Sequence, residues 1–177
     1  MEICIPVATP KVKSSFCSPD LTLGRIDHLY FGSVGQPLAD WTDLNEWNTR
    51  LDNETEDDTT KIRFLSIIGS KPKPERGKID YSQDRTLYTT PTHTLPFKVD
   101  ETSQETYEFL QWLDENAAHQ FAIWYPDQKH LYGSNNGITA SMTFDHVIPE
   151  NDEELSYFEG VIEWKGIHPD RIVNPLA

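Results

Sequence analysis

The chain has 177 residues, of which 37% are hydrophobic, and its 29 acidic residues outnumber 15 basic ones to give a formal net charge of -14. This length suits one domain with its own core, so we expect a single domain over residues 1–177. The excess of acid argues against a surface that grips nucleic acid, which needs clustered Lys and Arg. No apolar run approaches the roughly 18 residues of a membrane span, so no membrane partner is expected.

Residues 1–24 are rich in Ser, Pro and Thr, and we expect them to form an extended N-terminal arm. Cys4 and Cys17 lie in this arm and form no CxxC pair, which is poor spacing for zinc. We therefore expect two reduced, buried or half-buried side chains, with a disulfide between them left open.

A β-rich core is expected over residues 25–166, and it begins with a strand at 25–34 that ends in a glycine-containing turn. Residues 39–53 predict a helix near 40–52, capped by Asp40 or Thr42. Its apolar side chains share one arc at helical spacing; they are Trp41, Leu44, Trp47 and Leu51. Two tryptophans on one stripe indicate a core or an interface rather than a ligand site.

The loop at 52–58 holds five acids in seven residues. A calcium-binding loop would need a glycine and a distal Glu at fixed positions, and that glycine is missing, so no metal is expected. Residues 61–69 predict a strand. The Pro- and Lys-rich excursion after it does not match a phosphate-binding loop, because the spacing from Gly69 to Gly77 is too long.

Residues 85–101 predict an extended segment broken by Pro91 and Pro96, which places it at a sheet edge or makes it enter the sheet late. Leu95, Phe97 and Val99 alternate with polar residues and mark one strand within it. A helix follows near 103–118, where Thr102 and Glu105 match a capping box. Its predicted buried stripe consists of the side chains Tyr107, Phe109, Leu110, Leu113 and Ala117.

Residues 119–166 predict three or four antiparallel strands. Asn136-Gly137 between alternating runs indicates a hairpin turn. The arm after it and the final strand at 156–166 each have an apolar face, whose predicted core residues include Phe144, Phe158, Ile162 and Trp164. Gly160 suggests a bend there. Residues 167–177 show no periodicity and predict an extended C-terminal tail.

No nucleophile, zinc or nucleotide motif occurs in the chain, and the six histidines are scattered singly. Glu159 and Glu163 lie on one strand face, but four residues separate them by about 13 Å, too far for a glycosidase pair. We therefore expect no enzyme activity, catalytic residue, cofactor or metal. An enzyme in which a neighbouring strand supplies the second acid remains an alternative.

The order of elements and the long arms in "NGITASMTFDHVIPENDEELSYFEGVIEWKG" resemble the tail-tube fold of tailed bacteriophages. The ending "EWKGIHPDRIVNPL" is similar in style to ring or connector proteins of crass-like phages of gut Bacteroidetes. The resemblance implies a mainly β, α+β fold, in which an antiparallel β-barrel or sandwich of the tail-tube type carries one or two helices and extended terminal arms. It implies a virion protein of the tail or neck, assembled in the host cytoplasm.

In that interpretation, copies of the chain form a homo-oligomeric ring that contacts other tail or portal-region proteins. DNA passes through the ring without specific binding, since an acidic wall repels phosphate. The lumen-facing or solvent-facing side chains would be Thr139, Ser141, Thr143, Asp145, Glu159 and Glu163. A loop that docks on an acidic neighbour would carry Lys71, Lys73, Arg76 and Lys78. The alternative is a non-enzymatic β-sandwich that presents aromatic loops to a glycan or protein.

Overall fold

The computed structural model describes residues 8–10, 12, 21–22, 24–82 and 85–177, so that Cys4, Cys17 and most of the expected N-terminal arm lie outside it. The described residues form two helices, α1 (Leu44–Arg50) and α2 (Gln104–Glu115). They also form ten strands: β1 (Ile26–Ser33), β2 (Ile62–Gly69), β3 (Lys78–Ser82), β4 (Arg85–Tyr88), β5 (Thr92–Val99), β6 (Phe121–Pro126), β7 (His130–Gly133), β8 (Ile138–Val147), β9 (Tyr157–Lys165) and β10 (Asp170–Val173).

Six antiparallel strands close into a barrel. Neighbours pair in the order β1, β2, β5, β9, β8 and β6, and β6 pairs again with β1 through residues 121–124 and 30–33. β7 pairs with the end of β6, and β10 pairs with β7. Among the residues that the structure describes, β3 and β4 pair only with each other, as a separate two-stranded ribbon. The mainly β, α+β fold predicted from the sequence is confirmed.

Alternate side chains of the six strands fill the barrel interior, as the two-residue period of a strand requires. The residues predicted as core are buried, with exposed fractions of 3% for Phe144, 1% for Phe158, 0% for Ile162 and 6% for Trp164. The alternating side chains of β5 are also buried. A six-stranded barrel is narrower than the eight-stranded one whose interior side chains just fill, so it encloses no channel.

Gly160 lies inside β9 for a steric reason. A Cβ at this position would lie 2.3 Å from the carbonyl oxygen of Thr143 on β8 and 2.7 Å from Cζ of Phe97 on β5. The glycine therefore permits the close approach of two neighbouring elements, and not only the bend that the sequence suggested.

The helix α2 closes one end of the barrel, where Leu110 and Leu113 join the main core cluster. Its cap differs from the prediction: Ser103, not Thr102, accepts a hydrogen bond from the backbone N–H of Thr106 at 3.3 Å. The helix ends at Glu115, because the Asn116 side chain donates to the carbonyl of Trp112 at 2.9 Å. Ala117 of the predicted stripe is consequently outside the helix and exposed.

The helix α1 covers the outer face of β1 and β6. It is shorter than predicted, and Asp43, rather than Asp40 or Thr42, caps it by accepting from the N–H of Asn45 at 2.9 Å. Trp47 is fully buried against the edge of Trp124, with ring centroids 5.5 Å apart. Leu44 of the predicted stripe is 44% exposed. This second core explains why β6 is buried on both faces.

The predicted Asn136-Gly137 hairpin is wrong in its partners. A turn does form there, with the N–H of Gly137 donating to the carbonyl of Ser134 at 3.1 Å, but β7 and β8 do not pair across it. Instead β6 pairs with β8 along its first half and with β7 at its end. The nearby Trp124 indole N–H donates to the carbonyl of Ser134 at 2.7 Å, which ties the turn to β6.

One alternative of the prediction for residues 85–101 needs correction. β5 is not an edge strand, because it lies between β2 and β9. Pro96 is tolerated because β9 pairs with the whole strand, whereas the β2 register covers only Phe97 and Lys98, next to the proline. Within residues 167–177, for which an extended tail was predicted, β10 is a strand that forms a ladder with β7.

Candidate functional site

The six side chains predicted to face a lumen lie on the outer surface of β8 and β9. All six are exposed: Thr139, Ser141, Thr143, Asp145, Glu159 and Glu163. They point away from the packed barrel interior, so the barrel itself provides no lumen for them. Any conduit that they line would have to form between copies of the chain.

The register across this surface brings like charges together. Asp145 lies directly opposite Glu159, and Ser141 lies opposite Glu163. Side chains in such positions have Cβ atoms about 4.5–5.5 Å apart. On the other side of β9, Lys98 of β5 lies opposite Glu159. The face is therefore an acidic stripe with a basic border.

Asp145 on the neighbouring strand β8 lies closer to Glu159 than Glu163 does. Asp145 and Glu159 nevertheless sit on an open outer face, and neither lines a described cleft of the molecule. An acid pair that works in catalysis is normally partly enclosed, so that water is excluded and charges act strongly. The enzyme alternative gains a pair of carboxylates here but no pocket around it.

The four basic residues of the predicted docking loop do not form one patch. Lys73 and Arg76 are exposed, and Lys78 begins β3 and pairs with Asp80 at 3.1 Å. Lys71 turns toward the barrel instead, and its Nζ lies 6.0 Å from the centre of the Trp164 ring. Partial burial lowers the pKa of Lys71. Lys71 therefore belongs to the barrel mouth, and the other three belong to the ribbon and its approach.

The β3–β4 ribbon was missed by the sequence reasoning, which treated residues 71–78 and 85–101 as loop and extended segment. Every described residue of both strands is exposed. Four large side chains protrude from it, with exposed fractions of 54% for Ile79, 55% for Tyr81, 56% for Leu87 and 66% for Tyr88. Two short runs of β-branched and aromatic residues around a polar turn were the available signal.

A cleft of about 460 Å³ opens at the barrel end opposite α2. Its walls come from the start of β1, the end of β2, the β6–β7 turn and the segment before β10; they include Arg25, Lys71, Tyr125, Asp127, Tyr132 and His168. Tyr125 and Tyr132 stack with ring centroids 5.0 Å apart. Burial raises the pKa of both phenols. This cleft could not be predicted from the sequence, because its residues are far apart in the chain.

A second, more open groove of about 630 Å³ runs between α2, β1 and the acidic loop. Trp112 lines it, is 40% exposed, and stacks on Phe109 with ring centroids 6.3 Å apart. Asp57 and Asp58 stand on the opposite wall. Below them, hydrogen bonds led by the Thr55 hydroxyl lower the pKa of Asp52 to about 2. Asp52 of the acidic loop therefore accepts hydrogen bonds from donors within the same loop.

In the part of the chain that the structure describes, no group of three or more His, Cys, Asp or Glu side chains is arranged to hold a metal ion. No helix there is long and apolar enough to cross a membrane. Comparison of the chain with protein-family models, with curated proteins and with solved structures finds no match.

Proposed function

We propose that the chain is a structural subunit of a tailed-phage virion, in the tail or the head-to-tail connector, that assembles into a homo-oligomeric ring around a DNA conduit. The exposed β3–β4 ribbon carries the proposal. The proposed function involves no catalysis, metal or cofactor. A closed antiparallel barrel with one flanking helix is consistent with the tail-tube type of subunit that the sequence resembles.

The ribbon has the composition of a contact surface. An isolated two-stranded hairpin is only marginally stable in water. Burial contributes little to the stability of this one, because its large side chains are exposed: Ile79, Tyr81, Leu87 and Tyr88. Aromatic side chains and Arg are enriched at protein interfaces. Residues 71–88, which comprise the ribbon and its approach, hold five basic and three acidic residues, a net charge of +2 on a chain whose net charge is -14, and Lys78 is paired with Asp80 at 3.1 Å. The surface that suits it best is therefore an acidic one with exposed apolar side chains.

Such a surface is present on the same chain, in the loop between β8 and β9. Residues 150–154 hold four acids, and the flanking Ile148 and Leu155 are 73% and 86% exposed. Strand directions put this loop at the α2 end of the barrel, whereas the ribbon connects β2 and β5 at the opposite end. Ribbon-to-loop contact between copies is head-to-tail, and such contacts give rings when they close.

The acidic stripe on β8 and β9 suits the wall of a conduit. Thr, Ser and carboxylate side chains offer phosphate no cationic anchor, so DNA would slide past without sticking points. Many copies around one axis would focus the negative field within a narrow lumen. Lys98 borders the stripe on β5, so the proposal places the β8–β9 side, rather than the β5 side, closest to the axis.

The test is the assembly state of the full chain, measured by light scattering and imaged by electron microscopy over a range of concentrations. We expect rings with a central opening. Replacing Ile79, Tyr81, Leu87 and Tyr88 by Thr should leave a folded monomer. The matched control makes the same replacement by Thr at Ile167 and Val173, which lie outside the ribbon and are 84% and 80% exposed. This variant should still form rings.

A strictly monomeric wild-type chain at every concentration would contradict the proposal. Open filaments in place of rings would support the head-to-tail contact and reject the conduit. Neutralising the four acids of residues 150–154 should weaken assembly as much as the ribbon variant does, because the loop and the ribbon are the two halves of one proposed contact. Retention of rings in that variant would reject the loop as the ribbon's partner.

A second candidate function is glycan binding, and the Trp112 groove favours it. A half-exposed indole stacked on Phe109, facing polar side chains, is suited to stack on a sugar ring. A glycan array on the full chain would reveal it, and Trp112→Ala should abolish any signal. Tyr107→Ala is the control, since Tyr107 is 38% exposed on the same helix but lies outside the groove.

A further inference from the structure

The two ends of the barrel differ. α2 packs Leu110 and Leu113 into one end, whereas the other end opens into the cleft described above. Barrel mouths are common sites for small ligands, and the volume of about 460 Å³ is within the range of such sites. What the cleft could bind follows from the groups at its floor and rim.

Two buried nitrogen atoms, in residues that contact the lining of the cleft, lack hydrogen-bond partners among the described residues: Nδ1 of His93 and Nε1 of Trp164. The rings stack with centroids 5.0 Å apart. Nε2 of His93 donates to the carbonyl of Gly166 at 3.0 Å, so Nδ1 of the neutral ring is an acceptor. Burial lowers the pKa of His93 and favours this neutral form. Since buried polar groups are normally satisfied, an unused donor and an unused acceptor side by side point to a ligand.

The side chains of His168 and Lys71 link these atoms to the cleft. The ring of His168 lies 5.1 Å from that of His93, and Nζ of Lys71 lies 6.0 Å from the ring of Trp164. Both side chains line the cleft, and His168 is exposed. A rotamer change of His168 is the movement by which a ligand in the cleft would reach the two nitrogens, because exposed side chains change rotamer readily.

The rim of the cleft is positively charged. Arg25 and Lys71 line it, and neither forms an ion pair with a described residue. The one carboxylate in the lining, Asp127, is already occupied. It accepts hydrogen bonds from the backbone N–H groups of Lys129 and His130, both at 2.7 Å, and from the Tyr132 hydroxyl at 2.8 Å. The lining therefore holds two cations against the single negative charge of Asp127, and this net positive charge on so acidic a chain favours an anion there.

We propose that this cleft binds a small hydroxylated organic anion. Its carboxylate or phosphate group contacts Lys71 and Arg25 and accepts a hydrogen bond from Trp164 Nε1, while a hydroxyl group donates to His93 Nδ1. The four protein groups have the donor and acceptor character that such a ligand complements. The inference does not depend on the proposed ring.

The test titrates the full chain with four polyhydroxylated six-carbon probes that differ in charge: gluconate, glucose 6-phosphate, neutral glucose and cationic glucosamine. Calorimetry should give dissociation constants below about 10 mM for one or both anions, and binding of glucose and glucosamine at least about tenfold weaker. Gluconate and glucose 6-phosphate distinguish a carboxylate from a phosphate. The indole N–H signal of Trp164, assigned with Trp164→Phe, should shift on titration with the bound anion.

Lys71→Met combined with Arg25→Gln should weaken anion binding by at least about tenfold. Lys73→Met, in the same segment but outside the cleft, is the matched control and should bind as the wild type does. Equal binding of all four probes, full binding by the double variant, or no binding of either anion at about 10 mM would overturn the proposal. Binding of an acidic peptide covering residues 148–155, but of neither anion, would instead assign the cleft to a second copy.

Discussion

Ile162 of β9 is fully buried, whereas Ile79 of β3 is 54% exposed, although both lie in antiparallel strands with alternating apolar residues. The two regions differ in whether their strands close around a shared interior. Six strands of the barrel surround a common interior, and α1 and α2 cover what remains. The ribbon has two strands, so its apolar side chains have no second layer to pack against within the described residues. The barrel can be stable alone, and the ribbon calls for a partner.

The largest expected effect breaks the barrel. Gly160→Ala places a methyl group 2.3 Å from the Thr143 carbonyl oxygen and 2.7 Å from Phe97, so strands must move apart. We expect the free energy of unfolding to fall by about 3 kcal/mol, measured by urea denaturation. Gly166→Ala is the control, since a Cβ there meets no atom within 4 Å, and it should change stability by less than about 0.5 kcal/mol. Equal effects would mean that the close approach is not tight.

The next effect concerns the polar turn at the barrel mouth. Burial alone would raise the pKa of Asp127, but hydrogen bonds from Lys129, Tyr132 and His130 hold it below its usual value. A lowered pKa in the folded state gives stability that is present above about pH 4 and lost as the pH falls through the folded-state pKa.

Asp127→Asn should therefore lower the free energy of unfolding at pH 7 by about 1–2 kcal/mol and flatten its decline below pH 4. Denaturation at a series of pH values measures both. Asp152→Asn, in the exposed β8–β9 loop, should change neither. An unaltered acid profile in Asp127→Asn would show that other carboxylates govern acid unfolding.

A smaller effect, of opposite sign, is expected on the outer face of the barrel. Asp145 lies opposite Glu159, and like charges in this position destabilise a sheet. Asp145→Asn should raise the free energy of unfolding by about 0.3–0.5 kcal/mol at low salt, and the gain should shrink at high salt. Thr139→Ser on the same face tests for a general effect of substitution. A loss of stability on removing Asp145 would contradict the stated repulsion.

The smallest effect on stability is expected in the ribbon. Replacing Ile79, Tyr81, Leu87 and Tyr88 by Thr should change the monomer's free energy of unfolding by less than about 0.5 kcal/mol, because all four are more than half exposed. The same variant should abolish assembly. A large loss of monomer stability would instead show that the ribbon folds back on its own barrel, which would remove the contrast between the two regions.

Much of the local structure could be predicted because the relevant physics is local. Alternation over β5, β8 and β9 identified the core residues, and helical spacing located α1 and α2 to within a few residues at each end. The caps were misplaced by one to three residues, since Thr102 and Ser103, or Asp40, Thr42 and Asp43, are all good cap residues and only packing selects one. The exposure of the six Thr, Ser, Asp and Glu side chains on β8 and β9 also follows from alternation.

Pairing was beyond sequence reasoning because it joins distant segments. Asn136-Gly137 specified a turn, but not that β6 would take both β7 and β8 as partners. The cleft combines Arg25, Lys71, Asp127 and His168, which no spacing rule brings together. The unsatisfied atoms of His93 and Trp164 depend on the register between β5 and β9.

The amino-acid sequence by itself determined a β-rich α+β chain, its alternating core and its acidic surface, because propensity, period and charge belong to residues and their near neighbours. The tertiary structure alone decided that six strands close on themselves, that the ribbon is left outside, and that one barrel end stays open near two nitrogens that have no hydrogen-bond partner among the described residues. Closure and cleft formation depend on contacts between residues far apart in the chain, whose geometry is set only when the whole core packs.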